Sequence, residues 1–134
     1  MHRSIGGVLR SSIMLYFAGA ILGGCLFDCG DTINLEKASP EQKYVATVFE
    51  RDCGATTDYS TIVVLRRFKK SFDPEAGRIF IVKGRIPVTL TWTDPNSLLV
   101  KCPECVPEAE LNKPQDKVFK REKEWNGVSI SYTR

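Results

Sequence analysis

The chain contains a single histidine, His2. Beyond it the sequence lacks both the usual general base near neutral pH and the commonest metal ligand. It also lacks a G-x-S-x-G elbow and a Gly-rich phosphate loop. Helical periodicity of useful length is missing too, with Lys117–Trp125 the one ambiguous stretch. The apolar run Ile13–Leu22 falls short of the roughly 20 residues that span a bilayer, and Arg10 and Asp28 bound it on either side. Charge of one sign is lacking as well, with 19 basic against 16 acidic residues. These absences give no reason to expect an enzyme, a metal, a bound cofactor or a nucleic-acid partner.

What is present begins with an address. His2, Arg3 and Arg10 form a basic start, a short apolar core follows, and small residues close it, which is the secretory layout. The run ends Leu22-Gly23-Gly24-Cys25, which resembles the bacterial lipobox. That resemblance implies cleavage after residue 24, a diacylglycerol on the Cys25 sulfur, and Cys25 as the first residue of the mature protein. The covalent acyl lipid is then the only group expected on the chain. One chain holds only marginally at about 0.8 kcal/mol per buried CH₂, so stable anchoring takes several. Ala18-Gly19-Ala20 is the rival, an ordinary A-x-A cleavage site that would release a soluble protein. Leu26 rather than Asp follows Cys25, which by resemblance to enterobacterial sorting favours an outer membrane, facing the periplasm. A source with one membrane would carry the protein on the outer face of its cell membrane.

The expected organisation is a signal peptide over 1–24, a tether over 25–38 and a single β domain over 39–134. Without Arg3 and Arg10, 17 basic residues face 16 acidic ones. Fully extended, residues 26–38 reach roughly 45 Å.

Five cysteines less the lipidated one leave Cys29, Cys53, Cys102 and Cys105. An even number in an oxidising compartment suggests disulfides, with three full pairings open. Cys29–Cys53 with Cys102–Cys105 is the preferred one. Cys53–Cys102 is an alternative that would close a loop of about 50 residues, worth about 4 kcal/mol in the chain-entropy model. A Cys29 bridge would shorten the free tether to three residues. Cys102-Pro103-Glu104-Cys105 also has C-x-x-C spacing. A redox role wants its first cysteine at a helix N-terminus, and zinc wants a second knuckle; neither is visible here.

The rest reads as an all-β domain, a small antiparallel sheet or sandwich. Ser39-Pro40-Glu41-Gln42 is a turn with proline at the second position. Lys43–Arg51, Ser60–Arg67, Arg78–Val82, Pro87–Trp92 and Leu98–Lys101 read as strands. Asn126-Gly127 joins a charged strand ending at Trp125 to the alternating Val128–Tyr132. Ser39–Ala46 and Trp92–Val100 resemble the paired hairpins of β-propeller blades, yet about 110 residues cannot supply the roughly four to eight blades a propeller needs. One or two blade-like hairpin sheets are the expectation. The lipobox, the S-P-x-x-K-Y-x-A strand, the segment Arg51-Asp52-Cys53-Gly54-Ala55-Thr56-Thr57 and the closing W-N-G-V hairpin together resemble a family of small bacterial lipoproteins. That family carries a domain of no assigned activity, so the resemblance implies an address and a fold rather than a reaction. The Cys102–Cys105 pair is not part of its pattern.

Two surface candidates remain. Cys53, Gly54, Thr56, Thr57 and Tyr59 form a loop with a permissive glycine, two hydroxyls and an amphipathic ring, flanked by Glu50, Asp52 and Asp58. Arg66, Arg67, Lys69 and Lys70 form a basic cluster that could add about 1 kcal/mol per residue of attraction to anionic lipid. Two functional classes follow. One is a non-catalytic envelope module whose partners are the membrane and another envelope protein. The other is a thiol-redox or hydrolytic accessory of the envelope.

Overall fold

Runs of Val, Ile and Phe that cannot leave the sheet face exposed set the architecture. The computed structural model describes residues 29–105 and 117–134. The signal segment, Cys25 and residues 106–116 lie outside the described residues. Within them the chain forms β1 (Gly30–Ala38), β2 (Tyr44–Asp52), β3 (Ser60–Arg67), β4 (Arg78–Lys83), β5 (Thr89–Asp94), β6 (Ser97–Lys101), β7 (Val118–Arg121), β8 (Glu124–Trp125) and β9 (Val128–Thr133). One sheet has the order β1-β2-β3-β4-β7 and the other β5-β6-β9-β8. The protein is all-β, a small sandwich of two sheets.

The two sheets share one apolar core. Val63, Leu65, Phe80 and Val82 from the first sheet meet Leu90, Leu98, Val100, Val128 and Ile130 from the second, all buried. Burial of this area is the main driving force for folding, at about 25 cal/mol per Å². The first sheet is also covered on its outer face. Phe49, Ile62 and Val64 lie beneath Phe72, which meets Phe49 edge-on at 5.3 Å. Phe72 comes from the 68–77 connection, which folds back over the sheet. With both faces buried, Tyr44–Phe49 and Thr61–Leu65 are buried at every position, so β2 does not show the in-and-out alternation that Lys43–Arg51 suggests.

Ser39–Ala46 forms the turn after β1 and the start of β2, Trp92–Val100 lies in the β5–β6 hairpin, and the two meet across the sandwich. Tyr44 stacks on Trp92 with ring centroids 6.3 Å apart, and the Trp92 Nε1–H donates to the Lys37 carbonyl at 3.0 Å. Asn126 and Gly127 both take positive φ, 45° and 82°, as a two-residue hairpin turn requires. Glu41 also sits at φ 68°, in the place a type II turn normally gives to glycine.

Three expectations need correction. Residues 30–38 are not a tether: they form β1, paired with β2 from Gly30–Asp52 to Ala38–Val45. An edge strand is held by its backbone ladder and needs little apolar content, so its sequence reads as polar linker; Leu35 alone of its side chains packs on the core. The second sheet is not wholly antiparallel, because β6 and β9 run parallel from Ser97–Ser129 to Lys101–Thr133. Finally, the ambiguous 117–125 stretch is two short strands, and the first of them, β7, extends the opposite sheet.

Candidate functional site

The register between β2 and β3 gives the sandwich two ends. Arg51 pairs with Ser60 at one, and Tyr44 with Arg67 at the other. Seven strand steps separate Ser60 from Arg67, about 23 Å. The two surface candidates therefore lie at opposite ends of the molecule.

At the near end, Cys29 is bonded to Cys53 and the 53–59 loop follows. Gly54 takes φ 111°, and its N–H donates to Asp52 Oδ1 at 3.0 Å. The Thr57 N–H and hydroxyl both donate to the Gly54 carbonyl, at 3.1 and 3.2 Å. The loop's polar groups thus serve largely its own turn, while Thr56 stays exposed. The flanking carboxylates are engaged as well. Asp58 pairs with Lys83 at 2.6 Å, and Glu50 with Arg85 at 3.3 Å.

Sequence reasoning missed the neighbours of this loop. Lys83 pairs in register with Ser60, the Gly84 N–H donates to the Tyr59 carbonyl at 2.6 Å, and the Lys83 N–H donates to the Lys117 carbonyl at 2.8 Å. Buried Thr61 fixes the turn beyond, donating its hydroxyl to the Gly84 carbonyl at 2.7 Å and accepting the Ile86 N–H at 3.0 Å. That turn lays the Arg85 guanidinium 3.9 Å from the centre of the Tyr59 ring. Tyr59, Lys83, Arg85 and Lys117 consequently line one open cleft of about 420 Å³ together with Asp58 and Gly84. Arg85 is stacked on an aromatic face but also paired with Glu50, and Lys83 with Asp58, so the cleft is a mixed-charge surface to which Lys117 adds one further cation. No local motif announces this grouping, because strand register alone brings residues 59, 83–85 and 117 together.

The basic cluster lies at the far end, and part of it has a structural task. Arg66 Nη1 donates to the Lys70 carbonyl at 2.7 Å, and Arg66 Nη2 pairs with Glu36 at 3.2 Å. Arg66 thereby shapes the turn after β3 and ties it to β1. Arg67, Lys69 and Lys70 remain exposed. A domain held at its Cys29 end would carry this cluster away from the attachment point.

The Cys102-Pro103-Glu104-Cys105 segment is a turn closed by its own disulfide. The Cys105 N–H donates to the Cys102 carbonyl at 3.1 Å, and the Cys102 N–H to the Thr133 carbonyl at 2.8 Å. Both cysteines are buried in the main core, at 3% and 5% exposure. Among the described residues no helix N-terminus lies beside them to stabilise a thiolate. Among the described residues no group of three or more His, Cys, Asp or Glu side chains is placed to hold a metal ion. No family model, curated protein or solved structure matches the chain.

Proposed function

We propose that the protein is a lipid-anchored, non-catalytic binding or assembly module of the bacterial cell envelope, standing on its membrane by the near end of the sandwich. The observation that carries this reading is the position of Cys29. It lies four residues after Cys25 and is bonded to Cys53 at the edge of the 53–59 loop. A lipid on Cys25 would therefore leave three residues of free chain before the fold begins, about 10 Å if extended. On so short a leash, the end bearing Tyr59, Lys83, Arg85 and Lys117 meets the headgroups. Lys83 and Arg85 already face Asp58 and Glu50, so among the described residues Lys117 is the cation there left to add about 1 kcal/mol of attraction where the lipid is anionic.

The thiol-redox alternative draws little support from the buried Cys102–Cys105 turn, and the hydrolytic one little from a loop whose carboxylates are paired or capping. Fractionation of Cys25→Ser tests the anchoring directly. The variant should leave the processed membrane fraction, either released or stranded as precursor. Unchanged fractionation and unchanged mass would overturn the proposal.

A further inference from the structure

At the far end, the connection after β3 and the β8–β9 turn enclose a second cleft, of about 370 Å³. We propose that it binds a small anion, a carboxylate or phosphate carried on an apolar ring. The size sits at the lower end of ordinary ligand pockets, enough for one ring and its charged group. Its site is independent of the anchoring proposal, which bears only on which way it faces.

The floor is backbone and apolar side chain. Gly77 takes φ 68° beside Leu65, whose N–H donates to the Gly77 carbonyl at 2.8 Å. A Cβ at residue 77 would lie 2.0 Å from the Leu65 carbonyl oxygen, so this part of the cleft can carry no side chain. Trp125 supplies an aromatic wall, and Tyr44 braces it edge-on at 6.1 Å. The Tyr44 hydroxyl also donates to the Asn126 carbonyl at 3.4 Å, fixing the turn that carries this wall.

The rim is cationic. Arg66 gives its Nη1 and Nη2 groups to the Lys70 carbonyl and Glu36, which holds the turn in shape, while its buried Nε has no partner among the described residues. Arg67 and Lys70 also line the cleft, and both are exposed without an ion pair among the described residues. Among the described residues Asp73 is the one acidic residue in the lining, and its Oδ1 already accepts the Glu75 N–H at 2.8 Å. Two uncommitted cations over an apolar floor with an indole wall select a negative group joined to a flat apolar body.

The test is a titration of the isotopically labelled full chain in neutral detergent, followed by amide and indole NMR shifts. Phenyl phosphate and benzoate are the anionic probes, and benzyl alcohol is the neutral control. Saturable shifts of the Trp125 indole and the Gly77 amide are expected with the anions, and the better of the two names the charged group. Arg67→Ala with Lys70→Ala should weaken binding at least roughly tenfold, the cost of losing a charge-assisted contact, while Lys83→Ala at the near end should leave it unchanged. The proposal is overturned by any of three results: no saturable shift, equal response to benzyl alcohol, or unaltered affinity in the double variant.

Discussion

Cys29 is bonded to Cys53 one residue beyond the Gly30–Asp52 pair that begins the β1–β2 ladder. The bond therefore closes the end of the hairpin nearest Cys25 in sequence. It joins positions 24 apart, which the chain-entropy model values at about 3 kcal/mol. The Cys102–Cys105 bond spans only 3 and gains far less from that source. Denaturant unfolding of Cys29→Ser/Cys53→Ser should show a loss near that figure. If the double variant unfolds at the wild-type midpoint, the disulfide is not what secures this end of the hairpin.

Gly77 and Gly54 both have positive φ but differ in surroundings. Around Gly54 nothing lies within 4 Å of a built Cβ, whereas Gly77 faces the Leu65 backbone at 2.0 Å. Gly54→Ala should cost about 1 kcal/mol, from backbone conformation alone. Gly77→Ala should cost at least about 3 kcal/mol, since β3 and the 77–78 backbone must part. Equal costs, measured by thermal or urea unfolding, would refute the close approach at the floor of the far cleft.

Tyr132 links the two sheets from β9. Its hydroxyl donates to the Glu122 carbonyl at 2.6 Å, with the Ile79 carbonyl also within 3.2 Å. Burial pushes its pKa up from the ordinary tyrosine range, partly opposed by Arg121. For a group whose folded pKa is raised, the stabilisation is complete below the unfolded value, about 10. It is lost as pH rises beyond that, because the unfolded chain releases the proton first. Tyr132→Phe should lose about 1 kcal/mol at neutral pH and fall less steeply above pH 10. Parallel alkaline unfolding curves for the two proteins would rule this out.

The two-ended geometry predicts a gradient of depth on vesicles. On the proposed anchoring at Cys25, a fluorophore on Thr56, beside the Cys53 loop, should be quenched by headgroup-attached quenchers when membrane-extracted protein is reconstituted. The same label on Lys69, about 23 Å along the sheet, should not. Equal quenching would mean that the sandwich lies flat rather than stands.

The legible parts of the fold were those fixed by short-range chemistry. The apolar runs of β2 and β3, the Asn126-Gly127 turn and the alternation of β9 each state their conformation within a few residues. The edge strand β1 was hidden because it contributes backbone more than apolar surface, and its Asp31, Glu36 and Lys37 resemble linker. The parallel β6–β9 pair was hidden because it joins segments about thirty residues apart. The sites divide in the same way. The 53–59 loop and the 66–70 cluster stand out as strings, but Arg85 reaches Tyr59 only through strand register, and Trp125 reaches the rim of Arg67 and Lys70 only through the packing of one sheet on the other.

Attachment at Cys25 is decided by the intact mass of the protein extracted from membranes. The expected species begins at Cys25, with the mass of residues 25–134 less the hydrogens of two disulfides, plus a diacylglycerol group and any further acyl chain. A mass corresponding to cleavage after Ala20 without lipid, or to the uncleaved chain, would contradict it.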